Sequence, residues 1–169
     1  QRVTDEHGES HLTLTHDMLK EYIKETSSEA RQRALHARIA EQLEGQAVTD
    51  PLRVSHHLWQ AGEEQRARQC VARAARDAIE VEAFDLAVRL HQWLLERLPE
   101  DTSDTLRAAL YESEGDARAN AGQWLAAAET FMQAAEIAQR THHEEGERLF
   151  LRVLRKAAEV NLSGKSNRL

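Results

Sequence analysis

Helix-start and helix-stop signals recur at short intervals from Ser27 onward, and they constrain the fold more than any other feature of the chain. Asp50-Pro51 is the strongest signal, because Asp50 can accept a hydrogen bond from a free first-turn amide while Pro51 has no amide to leave unpaired. The 169 residues include only two prolines and seven glycines, so the segments between the signals favour uninterrupted helices. The pattern predicts a mainly α-helical fold.

Apolar residues at three- and four-residue spacings place eight helices between these signals. The first predicted helix begins at Thr15 or His16, the second runs from Ser27 or Ser28 to Gly45, the third from Asp50 to Gly62, and the fourth through Ala67–Ile79. The fifth runs from Phe84 to just before Pro99, the sixth from Ser103 to about Gly122, the seventh from about Trp124 to Arg140, and the eighth from about Glu145 to Leu162, ending before Gly164. The short loops between them predict antiparallel helix hairpins stacked into an array.

The N-terminal segment has a different pattern. β-Branched and apolar residues from Val3 to Leu12 flank a polar turn in which Gly8 can adopt positive φ, so a short β-hairpin is expected there. The sequence Leu12-Thr13-Leu14-Thr15-His16-Asp17 then leads from a strand into the first helix. This junction is the strongest candidate for encoded chemistry, although His-Asp at a helix start is also explained by capping and by favourable negative charge there.

Composition disfavours several classes of function. The formal charge of −7 opposes a phosphate backbone and disfavours nucleic acid as a partner. Cys70 is the only cysteine, which fits a reducing compartment, and no apolar run approaches the ~20 residues that span a bilayer. We therefore expect a cytoplasmic chain with no membrane contact. A start without Met, inside a hairpin, suggests a segment of a larger protein.

An internal repeat lies in the C-terminal half. The stretch from Tyr111 through Ala134 resembles the tetratricopeptide repeat, a helix-turn-helix unit of ~34 residues. Small residues would let the two helices approach closely, and aromatic residues would fill the space beside them. The residues expected to pack the repeat are Gly115, Gly122, Trp124, Ala127, Phe131 and Ala134. Glu114 and Arg118 occupy positions where the repeat normally has apolar residues.

A longer resemblance covers most of the chain. The His16-Asp17 junction, the helix after it, the later Leu35-His36 and Ile39-Ala40 pairs and the repeat-like array resemble the segment that follows the ATPase core in signal-transduction ATPases with numerous domains. This family includes bacterial transcriptional activators and ATPase modules linked to serine/threonine kinases. The resemblance implies that residues 1–25 end a winged-helix domain and that 26–169 form a tetratricopeptide-like region, truncated at its C-terminus.

The same resemblance implies roles for two residues. His16 would approach the phosphates of ADP bound to an upstream nucleotide-binding domain, and Asp17 would cap the helix and orient the loop. An imidazole suits this role because it can donate a hydrogen bond to a phosphate oxygen. No Gly-x-x-x-x-Gly-Lys-Ser/Thr loop occurs in the sequence, so ATP or ADP would belong to the parent protein, and no cofactor is expected in this chain.

The remaining polar clusters favour structural explanations. Adjacent residues on a helix point in different directions, so His56-His57 and His142-His143 do not predict a metal site. Cys70 is expected to be a small core residue. The acidic residues and the basic run of the C-terminal half are expected to form solvated helix faces, the basic run with an acidic partner as an alternative. These residues are Glu112, Glu114 and Asp116, and Arg148, Arg152, Arg155 and Lys156.

Together these features predict a non-catalytic regulatory scaffold within a larger ATP-dependent signalling protein. A protein, a peptide or a small-molecule signal would bind the helical array and bias its position against the nucleotide-binding domain. Three alternatives remain open: a free-standing peptide-binding adaptor, a fragment of a kinase-linked ATPase enzyme, and DNA binding through the winged-helix remnant.

Overall fold

A computed structural model of the protein describes residues 2–4, 10–12, 28–46, 49–141 and 143–166. Two short strands, β1 (Arg2–Thr4) and β2 (Ser10–Leu12), pair antiparallel, with Val3 opposite His11. All other elements are helices, so the prediction of a mainly α fold is confirmed. The turn around Gly8 and the predicted first helix lie outside the described residues.

Seven helices follow in the described part of the chain. They are α1 (Glu29–Glu44), α2 (Pro51–Gln60), α3 (Glu64–Glu80), α4 (Phe84–Glu96), α5 (Asp104–Asn120), α6 (Trp124–Ala138) and α7 (Glu144–Ser166). Each helix packs against the next one along the chain, and α5 also reaches α7. The helices therefore form a linear series rather than a closed bundle.

Side-chain caps begin three of these helices at the predicted places. Ser28 accepts a hydrogen bond from the amide of Arg31 at 3.3 Å, and Asp50 accepts one from the amide of Leu52 at 3.0 Å. The hydroxyl of Ser103 does the same at the start of α5. Each cap satisfies an amide that has no partner within its helix, which is why these boundaries could be predicted.

One turn geometry recurs three times, after α2, α3 and α5. In each case the amide three residues past the helix bonds back to a carbonyl five residues earlier, as Glu63 to Leu58, Ala83 to Ala78 and Gln123 to Arg118. This pattern requires positive φ at the middle residue. Gly62 and Gly122 adopt it at +84° and +75°, whereas Glu82 adopts +59° without being a glycine.

The core forms three clusters along the helix interfaces, and each consists mainly of small and branched aliphatic residues. The clusters centre on Ala40, Leu58 and Ala67 between α1, α2 and α3; on Val71, Ala87 and Leu90 between α3, α4 and α5; and on Ala127, Phe131 and Val153 between α5, α6 and α7. Trp93 packs against the first two clusters. The series is thus held together locally, helix by helix.

The last helix departs from the prediction at its C-terminus. The sequence predicts an end before Gly164, but α7 continues to Ser166, so that prediction is wrong. A glycine inside a helix costs only about 1 kcal/mol relative to alanine. Gly164 alone is therefore insufficient to end α7.

Candidate functional site

The structure places the predicted repeat residues at the contact between α5 and α6. Gly115 faces the ring of Phe131 so closely that an added Cβ would lie 2.5 Å from its Cε1 atom. Ala127, Phe131 and Ala134 are almost fully buried, and Trp124 packs beside their cluster. Gly122 lies in the turn between the two helices.

His16 and Asp17 lie outside the described residues. The structure therefore says nothing about the junction to which the family resemblance assigns nucleotide sensing. That assignment stays a prediction.

An open groove runs across α4, α5 and α6 and is the candidate site. It has a volume of about 460 Å³, and its lining is mostly polar. Its polar lining includes Gln92, Tyr111, Glu114, Arg118, Glu129 and Gln133. Three helices contribute to it, so the groove exists only because the series packs in this order.

Four of these polar side chains have unused hydrogen-bonding capacity. Gln92, Tyr111, Glu129 and Gln133 make no side-chain hydrogen bond or ion pair to the rest of the described chain. The two amide side chains can each donate and accept, and the carboxylate of Glu129 can accept from several donors. The groove is consequently a surface on which donors and acceptors from three helices are available to a ligand.

The two remaining charged residues of this set, Glu114 and Arg118, already bind each other. Arg118 donates from Nε and Nη2 to one carboxylate oxygen of Glu114, at 2.9 and 2.7 Å, and from Nη1 to Gln123 at 3.3 Å. The side chain of Glu114 is only 5% exposed. Gln123 in turn donates to Asp85 at 2.9 Å. An acid and a base at positions expected to be apolar therefore satisfy each other inside the helix interface.

A second polar network joins α5 to α7. Arg152 donates from two nitrogens to the two carboxylate oxygens of Glu112, at 2.7 and 2.6 Å. Lys156 lies 2.8 Å from Glu112 and 2.6 Å from Asp116. Burial alone would raise the pKa of Glu112, but the hydrogen bonds from Arg152 and Lys156 outweigh it and lower that pKa.

These two networks correct the prediction of solvated helix faces for some of its residues. Glu112 and Glu114 are buried, and Lys156 is largely enclosed between α5 and α7. Arg148, Arg152 and Arg155 of the basic run remain well exposed, and Arg148 and Arg155 are each paired with an acidic residue of their own helix. The sequence-based interpretation failed because it treated each helix face separately, whereas opposite charges on two helices meet across the interface.

A cluster of three histidines lies where α1 packs on α2. Nδ1 of His36 is 2.8 Å from Nδ1 of His57, and the ring of His56 lies 5.3 Å from that of His57. One of the first two imidazoles must donate and the other accept. Burial, then neighbouring His56, lowers the pKa of His36, and burial, then the two other histidines and Arg53, lowers that of His57.

The other described histidines and the cysteine show no built site. Among the described residues, no group of three or more His, Cys, Asp and Glu is arranged to hold a metal ion. His91 is buried and donates from Nδ1 to the carbonyl of Ala87 at 2.8 Å. Burial raises the pKa of the Cys70 thiol, which disfavours the thiolate that a nucleophile needs.

Sequence reasoning missed the groove and one aromatic cluster. Trp59 and Trp93 meet edge to face at 5.7 Å, and the guanidinium of Arg97 lies 4.7 Å from the Trp93 ring. These contacts join α2 to α4. The groove residues gave no sequence signal, because isolated glutamines and glutamates on helices are typical of any exposed surface.

None of the described helices is long and apolar enough to cross a membrane. No protein-family model, curated protein or solved structure matches the chain.

Proposed function

We propose that the chain is a non-catalytic protein-interaction scaffold of the tetratricopeptide-like type, and that the groove across α4, α5 and α6 binds an extended segment of a partner protein. The observation that carries this proposal is the set of four polar side chains in the groove that make no hydrogen bond or ion pair to the described part of the chain. A small number of placed polar groups fixes the orientation of a bound ligand, and these four side chains from three helices face one groove.

The chemistry of the lining favours a polypeptide as the occupant. An extended segment presents an N–H donor and a C=O acceptor at each residue, and the side-chain amides of Gln92 and Gln133 offer both complements. The groove is open rather than enclosed, so a chain can enter and leave along it. A small molecule would need a more enclosed cavity to bury most of its surface.

The decisive experiment removes the two amides together. Peptides from a phage-displayed random dodecapeptide library are selected on the 169-residue chain, synthesised, and titrated against the Gln92→Ala/Gln133→Ala variant. The Gln65→Ala/Gln69→Ala variant is the matched control, because it removes two exposed glutamines from α3, outside the groove. We expect about a thirtyfold loss of affinity in the groove variant, since the two lost hydrogen bonds contribute roughly 1 kcal/mol each, and no loss in the control.

Peptides that bind both variants equally would contradict the proposal. Failure of the library to yield any specific peptide would contradict it as well. Thermal unfolding of both variants confirms that a loss of affinity does not come from a loss of fold.

The scaffold is further proposed to act within a signal-transduction ATPase, as the family resemblance implies. Partner binding on the array would then favour one position of an upstream nucleotide-binding domain, and only a difference in partner affinity between two states can produce that coupling. Replacing His16 by leucine in the full-length protein tests this setting. Faster loss of bound ADP is expected, and unchanged ADP retention with unchanged activity would remove the nucleotide-sensing role.

A further inference from the structure

Charge in the groove distinguishes between classes of partner. Of its ionisable lining side chains, Arg118 is engaged by Glu114 and Gln123, and Glu96 by Arg97 at 2.8 Å. Glu129 is exposed and has no ion-pair partner among the described residues. The free charge of the groove is therefore negative, and it lies on α6.

The committed Arg118 makes an anionic partner unfavourable. Arg118 already uses three of its five N–H donors on Glu114 and Gln123, and the buried carboxylate of Glu114 neutralises its charge, so a carboxylate or phosphate entering the groove would gain little from it. The same ligand would also face the carboxylate of Glu129. A cationic ligand meets neither obstacle.

The residues around Glu129 complete a site for a cationic side chain. Gln133 follows Glu129 by four residues on α6, so the two side chains are neighbours on one helix face, and both line the groove. Gln92 lines it from α4 and the hydroxyl of Tyr111 from α5. A carboxylate flanked by neutral donors and acceptors suits an ammonium or guanidinium group that is carried on a polypeptide backbone.

We propose that the groove selects partner segments with a lysine or arginine, whose charged group donates hydrogen bonds to the carboxylate of Glu129 while Gln92 and Gln133 contact the segment's backbone. This inference rests on the proposed function of the groove. It adds the chemical class of the partner.

The test uses the peptides selected from the random dodecapeptide library. Lysine and arginine should be enriched among groove-dependent peptides relative to the unselected library. One such peptide is then made in two forms, with its key lysine intact or replaced by norleucine. Both forms are titrated against the wild-type chain, against Glu129→Gln, and against Glu136→Gln, which removes the same charge from an exposed position of α6 outside the groove.

We expect Glu129→Gln to weaken binding of the lysine form by about three- to tenfold and binding of the norleucine form by less than twofold. Glu136→Gln should leave both affinities unchanged. Added salt should weaken the lysine form most, because screening acts on the ion pair.

Each other outcome has a distinct meaning. Peptides that lose affinity in the Gln92→Ala/Gln133→Ala variant but contain no excess of lysine or arginine, or ignore Glu129→Gln, would overturn this inference and leave the proposed function in place. Peptides indifferent to the two-glutamine variant would overturn both. Equal effects of Glu129→Gln and Glu136→Gln would mean that net charge, rather than the groove, attracts the peptide, and would overturn the inference.

Discussion

Replacing Gly115 by alanine should lower the free energy of unfolding by about 1–2 kcal/mol, because this glycine sets how closely α5 and α6 pack. An alanine Cβ would lie 2.5, 2.7 and 3.0 Å from three carbons of the Phe131 ring. Ordinary contacts between such atoms are about 3.5–4.0 Å. The ring is almost fully buried, so it cannot move aside without displacing its neighbours.

The expected magnitude is the difference between two effects. Forcing an extra carbon into a tightly packed interface costs about 1–3 kcal/mol, and a clash with a buried ring belongs in the upper half of that range. Alanine is favoured over glycine inside a helix by about 1 kcal/mol. The steric cost therefore exceeds the gain in helix propensity.

Urea unfolding followed by circular dichroism measures this change. Gly45→Ala is the matched control, because the nearest atoms to its added Cβ are ordinary contacts at 3.6 and 3.8 Å and its φ of −80° suits any residue. The double variant Gly115→Ala/Phe131→Leu separates sterics from other causes, since a smaller side chain at position 131 gives the alanine room. The two substitutions should together destabilise by less than their separate effects combined.

A neutral or stabilising Gly115→Ala substitution would refute this reasoning. It would mean that α5 and α6 are not held at the distance that the Phe131 ring imposes. Strict additivity in the double variant would refute it equally, because the clash requires both residues.

Three further perturbations test other parts of the structure. Glu82→Gly should raise the free energy of unfolding by about 0.5–1 kcal/mol, because Glu82 adopts a φ of +59° that glycine tolerates better; a destabilised variant in thermal unfolding would contradict this. Glu112→Gln should cost about 1–3 kcal/mol in urea unfolding at pH 7, since the buried carboxylate accepts charged hydrogen bonds from Arg152, and wild-type stability would count against the network. The pKa values of His36 and His57 in the folded chain are lowered from 6.5. Between pH 6.5 and these folded pKa values, the unfolded chain therefore binds more protons than the folded chain. The free energy of unfolding should fall as the pH drops through this range. His57→Gln should make that fall shallower in melts at pH 7.5 and 5.5, and an identical fall in both proteins would argue against a role of the pair.

The helix series was largely predictable because its start signals act locally. Ser28, Asp50 and Ser103 each bond an amide within their own first turn, so the information lies in neighbouring residues. The last helix shows the limit of such reasoning, since Gly164 resembles a stop signal but lies inside α7. The weak tendency of this glycine to end a helix was outweighed by the helical residues before and after it.

The turn between α3 and α4 shows a second limit. Its hydrogen bonds are the same as those beside Gly62 and Gly122, yet Glu82 stands at the position of positive φ. A glutamate does not predict that conformation. The packing of α3 on α4 through Val71, Ala87 and Leu90 selects the turn instead, and this information is not local.

The groove and the ion-pair networks depend on residues that meet only after folding. Glu112 and Arg152 are forty positions apart and look like ordinary surface charges in the sequence. Gln92 and Gln133 are forty-one positions apart and belong to different helices. Helical periodicity predicts which face a residue lies on, but it does not predict which faces meet.

The central claim is that the groove across α4, α5 and α6 receives a partner segment, and mapping a bound peptide onto the chain by backbone amide chemical shifts tests it most directly. The titration uses a library-selected peptide on the labelled wild-type protein. We predict that the largest shifts cluster at Gln92, Tyr111, Glu129 and Gln133, with little change in α1 and α2. Shifts concentrated in α1 and α2, with the four groove residues unchanged, would contradict the account.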